Sequence, residues 1–385
     1  MVKPEASIQG SGGWGAVLPK DGTCRRIDRT WWTSITGEAR KSVLDRRSVM
    51  RVLVTGATGL LGNNIVRAAL AAGHDVRVYV RQSIAQPFEG LKVEFACGEL
   101  DDPQTLAMAM KDVDAVIHCA AFIHIGWKYL DESRKVNVEG TKHVATAALA
   151  KGIRLVYVST VNTLAIGSKS RIVDEETQGD GQLPSSYVLS KREAESVVDV
   201  LVKEGLDAVI VHPGFMLGPW DWKPSSGRMI TAIANTAWMM FTPIGGCSLC
   251  DARDVAQGVL LAMTKGERGR HYILAGKNLR YFELWCRIAK EVGRPSPWFT
   301  PRLPWRILGG WFGDGRTWLR KRESDFNSAS IRTSAQFHWY SSERAQKELG
   351  YTIRPIEETL RDSVQWLRDH GYWGQSTSEG VERKS

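Results

Sequence analysis

From position 50 onward the chain alternates two kinds of hydrophobic pattern. Arg51-Val-Leu-Val-Thr55 is a short, nearly continuous apolar run, as expected of a strand buried on both faces of a parallel sheet. Asn63 to Ala72 spaces its apolar residues with helical periodicity and stops at Gly73, and Val76 to Val80 is a second apolar run. Strand, helix and strand make a βαβ unit, whose strands lie parallel because the crossover between them is a helix. Similar runs return at Val93 to Cys97, Ala115 to His118, Leu155 to Val158 and Ala208 to Val211, with helical patterns between them. The pattern predicts an α/β chain built on a doubly wound parallel sheet.

Past position 215 bulky rings become frequent: Trp220, Trp222, Trp238 and Phe241, then Trp298, Trp305, Trp311 and Phe312. A smaller second domain is expected there, with the rings divided between core packing and a pocket for a large apolar or aromatic molecule. The expected division is residues 50–215 for nucleotide binding and 216–375 mainly for substrate, with segments near 251–275 returning to the first core and a polar tail at 376–385. Met229 to Cys250 is the longest apolar stretch, but Asn235, Thr236 and Pro243 interrupt it. It reads as a helix and loop of the pocket, and no run reaches membrane-spanning length. Residues 1–49 show no sustained period and no apolar core of a secretory signal. They read as a disordered extension, or a misplaced start, ahead of a natural first residue at Met50. Their arginines suit a transit peptide, but Glu5, Asp21, Asp28, Glu38 and Asp45 count against one.

Composition narrows the partners. With 43% hydrophobic residues, a chain of 385 can bury a large core. The formal charge of +9 comes from basic residues scattered among acidic ones, so an acidic small molecule suffices as partner and no nucleic acid is expected. Arg302, Arg306, Arg316, Arg320, Lys321 and Arg322 flank the later aromatics, a pattern that suits peripheral contact with an anionic membrane. Six cysteines make no dense framework and suit a reducing, cytoplasmic compartment. Cys247-Ser-Leu-Cys250 is one CxxC without further ligands nearby, and no metal is expected. A homodimer is kept open as the assembly.

The glycines at the first strand-to-helix turn carry the first chemistry. Gly56 permits a tight backbone, Gly59 lets the chain approach a pyrophosphate, and Gly62 allows close packing of helix on strand. The N-terminus of the helix would then present its free N–H groups to phosphate. At the end of the second strand stands Arg81, where a carboxylate would accept from a ribose 2′-hydroxyl and a cation would pair with a 2′-phosphate. Asp75 precedes that strand and belongs to its other end. The guanidinium favours NADP, with NAD as the alternative.

The second chemistry lies in Tyr187-Val-Leu-Ser-Lys191. Residues four apart share a helix face, so the Lys191 ammonium is expected near the Tyr187 phenol. A cation there favours phenolate and brings the tyrosine, which otherwise titrates near pH ~10, into range as a proton exchanger. Ser159 and Thr160 end the fifth strand, on the side of the sheet where ligands bind. Thr160 is taken to hold the substrate oxygen, and Ser159 to support the turn.

TGATGLLG, GELDDP, VIHCAA, NVEGT, YVSTV, YVLSK, HPGFMLGP and DARDVA follow one another between about Met50 and Tyr372. In that order they resemble the extended short-chain dehydrogenase/reductases, especially the dihydroflavonol reductase-like branch of the NAD-dependent epimerase/dehydratase superfamily. Glu99 stands where aspartate is usual, and Thr160 where serine is more common. The resemblance implies a Rossmann-type fold with a smaller C-terminal substrate domain. It implies a catalytic set of Thr160, Tyr187, Lys191 and Asn137, the last organising a water chain to the lysine. It places the dinucleotide against Gly56, Thr58, Gly59, Leu60 and Gly62, then Arg81, Glu99 and Leu100, then Ala120 and Ala121. Tyr187, Lys191, Pro213 and Gly214 complete the cofactor set. Phe122, Asn162, Met216, Trp220 and Trp222 are the implied substrate contacts. His118 is equally consistent with packing and with touching the cofactor.

These expectations converge on an NADP-dependent reductase or dehydrogenase acting on a carbonyl/alcohol pair in a bulky substrate. A nucleotide-sugar epimerase or dehydratase retaining NAD would use the same residues, and a non-catalytic dinucleotide-sensing or RNA-associated relative would keep only the fold. Arg81 and the aromatic second domain disfavour the former, and the intact Thr, Tyr and Lys set disfavours the latter.

Overall fold

A computed structural model of the chain describes residues 49–126, 128–179, 185–236, 241–300 and 328–373. The segment 1–48, the tail beyond 373, Trp238, and the stretch with Trp305, Trp311, Phe312 and its basic residues lie outside these.

Seven strands form one parallel sheet: β1 (Arg51–Thr55), β2 (Asp75–Val80), β3 (Val93–Cys97), β4 (Ala115–His118), β5 (Arg154–Val158), β6 (Ala208–Pro213) and β9 (His271–Leu274), in the order β3-β2-β1-β4-β5-β6-β9. This is the Rossmann-type doubly wound arrangement, with its reversal of strand order between β1 and β4. Alternation along β1 explains the two layers. Val52 and Val54 face a layer made by Ile65, Val66 and Ala69 of α1 (Leu60–Ala71) and Val255, Ala256 and Val259 of a later helix, Ala252–Lys265. Leu53 faces the other way, toward α2 (Pro103–Ala109), the helix Gly140–Lys151 and the helix Ser186–Lys203. Numbered in chain order, the helices after α2 are α3 (Leu130–Arg134), α4 (Gly140–Lys151), α5 (Ser186–Lys203), α6 (Arg228–Asn235), α7 (Ala252–Lys265) and α8 (Tyr281–Glu291). Each β1 residue from Val52 to Thr55 is buried, which is why the strand reads as an unbroken apolar run.

A smaller second sheet carries β7 (Phe215–Leu217), β8 (Gly246–Asp251), β10 (Lys277–Arg280) and β11 (Phe337–His338). β7 and β11 run parallel to β8, and β10 runs antiparallel to it. Its core joins Leu217, Leu249, Ile230, Leu284 and Ile288 to Leu360 and Val364 of the helix Ile356–Asp369. The chain crosses between the two sheets at Pro213 and Gly214, returns through α7 and β9, and leaves again at β10.

Two expectations change. The apolar stretch from Met229 to Cys250 is not a helix and loop throughout, for its end is the buried strand β8. Cys247 and Cys250 pack there among apolar neighbours, and burial pushes both thiols up, Cys247 to about 12. The first helix begins at Leu60 rather than Asn63, because the Gly59 carbonyl already accepts the Asn63 N–H. Among the described residues no helix is long and apolar enough to cross a membrane.

Candidate active site

The glycine turn divides its labour. Gly56 has φ +68°, the left-handed region that favours glycine, and a Cβ there would lie 2.6 Å from the Ala120 nitrogen. Gly62 is sealed in the same way, since a Cβ would overlap the Gly56 carbonyl. Gly59 is different. It is exposed, a Cβ there would meet only the Gly56 oxygen at 3.5 Å, and α1 starts from it with no side chain bonding its first N–H groups. An open glycine at an uncapped helix N-terminus, at the point where strand order reverses, fits a dinucleotide pyrophosphate. Leu60 is buried behind the turn, and Thr58 stands half-buried beside it.

The neighbouring loops are tied to this turn. Ala120 donates its N–H to Thr55 Oγ1 (3.3 Å), and Ala121 follows it out of β4. At the end of β3, Tyr79 donates to the Glu99 carbonyl (2.8 Å), and Leu100 packs against Gly140. Arg81 leaves β2 exposed, and among the described residues it has no hydrogen-bonding or ionic partner. Asp75 opens β2 at the opposite end of the strand. Further along the sheet, Pro213 closes β6, and a Cβ on Gly214 would lie 2.6 Å from the Ser248 carbonyl.

Thr160 and Tyr187 meet. Ser185 caps α5 by accepting the Val188 N–H (3.2 Å), which fixes the first turn and sets Tyr187 toward β5. The Thr160 hydroxyl stands near enough to the Tyr187 phenol to draw its pKa down, and it accepts the Asn162 N–H (3.3 Å). Lys191 lies one turn further, and its Nζ donates to the Val158 carbonyl (2.7 Å) while standing 4.2 Å over the Tyr157 ring. Here the expectation of a phenol lowered by Lys191 is corrected. Burial pushes the Tyr187 phenol up to about 12, the Thr160 hydroxyl draws it down only in part, and Glu195 raises it further. Burial also brings Lys191 down to about 8, opposed by Glu195 and then Cys119.

Asn137 sits in a single π-helical turn, Lys135–Glu139, a local irregularity frequent at functional sites. Its side chain is fully engaged: Oδ1 accepts the Phe122 N–H (2.7 Å), and Nδ2 donates to the Phe122 carbonyl (3.0 Å) and to Ser190 Oγ (2.9 Å). It therefore joins the loop after β4 to α5. The Phe122 ring groups with His124 and Tyr129 in that loop, and Ile123 and Ile125 stand exposed beside them.

Trp220 and Trp222 are occupied elsewhere. The Arg67 guanidinium of α1 lies 3.3 Å over the Trp220 ring, and both tryptophans pack on Trp366. Met216, on β7, packs partly against the first core. His118 is buried between Thr55 Oγ1 (2.6 Å) and Thr141 Oγ1 (3.1 Å), and burial presses it down to about 3, so it stays neutral. Burial raises the Cys119 thiol to about 12, which leaves it unreactive at neutrality. Among the described residues no three His, Cys, Asp or Glu side chains could share a metal.

Sequence reasoning passed over Glu195. It accepts from Ser159 Oγ and lies 3.6 Å from His212 Nδ1. Its one signal was its place four residues after Lys191 and eight after Tyr187, on the same side of α5.

Comparison with known proteins adds to this geometry. The sequence model of the NAD dependent epimerase/dehydratase family matches residues 52–275. The "Sterol demethylase protein B" of Methylococcus capsulatus is 33% identical over 329 residues, 84% of this chain and 99% of that protein. A Synechocystis protein whose name carries the words dihydroflavonol 4-reductase is 31% identical over 83% of this chain and 95% of its own length. Among solved structures, that of gox2253 is 32% identical with a TM-score of 0.74, covering 84% of this chain and 99% of that one.

Proposed function

The chain belongs to the NAD dependent epimerase/dehydratase family, and we propose that it is an NADP-dependent oxidoreductase acting on a carbonyl/alcohol pair in a bulky apolar or aromatic substrate. That the family is one of nicotinamide-dinucleotide enzymes with the extended short-chain dehydrogenase/reductase architecture is the premise. The finer reading rests on one observation, the approach of the Thr160 hydroxyl to the Tyr187 phenol at the carboxyl end of β5. Two hydroxyls meeting there can share one substrate oxygen, Thr160 orienting it and Tyr187 exchanging its proton.

The bound dinucleotide would supply or accept the hydride at its nicotinamide. The residues of the chain do the rest. Gly59 and the α1 N-terminus receive the pyrophosphate, and Arg81 takes the 2′-phosphate with a guanidinium that has no partner among the described residues. Lys191, held by Val158, offers its ammonium to the ribose and to the proton balance of Tyr187. Asn137 keeps the loop after β4 fixed on α5, so that the Phe122, His124 and Tyr129 rings hold their place.

Those rings, with Ile123 and Ile125 exposed beside them, support a large apolar substrate. The names of the relatives, which speak of a sterol and of a flavonoid-type alcohol, support the same class. The test is a panel of ketones, steroidal, flavonoid and aliphatic, offered to the purified chain with NADPH and with NADH. Turnover of bulky ketones with NADPH is the expected result. Turnover confined to nucleotide sugars with retained NAD would replace this reading.

A further inference from the structure

Tyr187, Lys191, Glu195 and Asp199 recur at every fourth position of α5. They therefore run down one side of the helix, away from the catalytic end of the sheet. The function proposed above uses only the first two. Glu195 and Asp199 face two histidines that it does not use at all. The register of β6 and β9 pairs Ile210 with His271 and His212 with Ile273, so both imidazoles fall on the α5 side of the sheet.

The contacts run in series, all at hydrogen-bond distance except the one between Glu195 and His212. Ser159 Oγ donates to Glu195, and Glu195 Oε1 lies 3.6 Å from His212 Nδ1. That same Nδ1 is 3.2 Å from the Thr160 carbonyl. His212 Nε2 meets His271 Nδ1 at 2.9 Å with the rings stacked, and His271 Nε2 meets Asp199 Oδ1 at 3.3 Å. Side-chain exposure rises outward, from 0% at His212 and 13% at Glu195 to 28% at His271 and 43% at Asp199. An imidazole takes a proton on one ring nitrogen and releases one from the other, and two in series pass it on by exchanging tautomers. Simple satisfaction of a buried His212 would need a donor and an acceptor, not a second titratable ring leading to a carboxylate in solvent.

We propose that Ser159, Glu195, His212, His271 and Asp199 form a proton-exchange chain that connects the floor of the site, beneath Thr160 and Lys191, with solvent on the far side of α5. The proposal rests on the reductase reading. Reduction of a carbonyl places a hydride from the dinucleotide on carbon and the Tyr187 proton on oxygen, so one proton from water must restore the phenol in every turnover. The chain supplies a route for it that does not cross the substrate cleft. Other charged or titratable groups facing the route are Lys191 and Arg192 on α5, Tyr157 on β5, and Arg344, whose Nη1 donates to the His271 carbonyl (3.2 Å). Burial lowers His212, and Glu195 opposes that shift, so the inner imidazole is neutral at rest and able to accept.

The first test needs no substrate. In the full chain labelled with nitrogen-15 histidine, Glu195→Gln and Asp199→Asn should each shift the titration of both His212 and His271 by NMR. Independent titration of the two rings overturns the chain. The second test reads turnover of 9,10-phenanthrenequinone with NADPH. His271→Ala should lower kcat on the order of tenfold, less than loss of a direct acid or base would, and 4-methylimidazole in solution should restore it. His271→Gln, which keeps a hydrogen bond but cannot relay a proton, should be equally slow with KM unchanged. Wild-type turnover in both variants overturns the chain. A wild-type chain that reduces no carbonyl counts against the reductase reading alone, and the NMR result still decides whether the rings are coupled.

Discussion

Lys191 donates its Nζ proton to the Val158 carbonyl over 2.7 Å, not to the phenol one turn before it. The bond holds a buried ammonium at the floor of the site, and burial brings that ammonium down to about 8. The charge is therefore present at neutral pH and is lost as pH rises through about 8. NADPH affinity should weaken as pH is raised from 7 to 9, by up to about tenfold, if the charge grips the ribose. Fluorescence titration of NADPH checks this. Lys191→Met should flatten that pH dependence and also lower turnover, and an unchanged pH profile in the variant would remove Lys191 from cofactor binding.

The two glycines of the turn should fail in different ways. Gly62→Ala forces a methyl group into the Gly56 carbonyl, and overpacking of backbone on backbone should destabilise the fold by about 1–3 kcal/mol. Gly59→Ala meets almost nothing in the protein and keeps an allowed φ of −82°. Its unfolding midpoint in urea should match wild type while its dinucleotide affinity drops. Equal stability losses in both variants would show that Gly59 is a packing residue.

Tyr187→Phe removes the hydroxyl that meets Thr160 and leaves the glycine turn untouched. Turnover should fall by roughly a hundredfold or more, with NADPH binding nearly unchanged. Thr160→Ser should retain much of the activity, because it keeps a hydroxyl at the same reach, and Thr160→Ala should not. Steady-state kinetics with whichever ketone the panel yields would separate these outcomes.

His118 should leave its mark on acid stability. It is held neutral down to about pH 3 by burial, whereas in the unfolded chain it titrates at 6.5. Between those values the unfolded state binds a proton that the folded state refuses. Its contribution is thus complete above pH 6.5 and is lost as pH falls toward 3, at about 1.4 kcal/mol per pH unit. Asp221 and Asp254, whose carboxyls burial raises, act in the opposite sense. The quantity to measure is therefore a difference: His118→Gln should lower the acid slope of urea stability by about one proton relative to wild type.

Much of this was legible in the sequence because it is local. The glycine turn is set by seven consecutive residues, Gly56 to Gly62, that leave a strand and enter a helix, and Tyr187 and Lys191 share a face of one helix whatever surrounds it. The direction of the Lys191 ammonium was not legible, since it depends on a carbonyl of β5. Nor could a pattern reveal that His212 and His271 would touch, because only the pairing of β6 with β9 sets their rings side by side. Trp220 looked like a pocket residue from its company of rings. Its φ of +70° and its seat under Arg67 of α1 belong to a contact between residues 153 apart in the chain, which local spacing does not encode.

In the proposed function, Arg81 selects the dinucleotide. It stands just past the end of β2, exposed and, among the described residues, without a protein partner, while the only acid of that strand, Asp75, opens its other end. A guanidinium in that position can take a 2′-phosphate through two parallel charge-assisted hydrogen bonds, whereas a bare 2′-hydroxyl offers it only one neutral acceptor. Arg81→Ala should therefore weaken NADPH by about 1.5–3 kcal/mol, on the order of ten- to a hundredfold, and leave NADH little changed. The two cofactors differ only in that phosphate, so the ratio of their dissociation constants isolates it. A uniform loss for both would mark Arg81 as structural, and tighter wild-type binding of NADH than of NADPH would reverse the cofactor assignment.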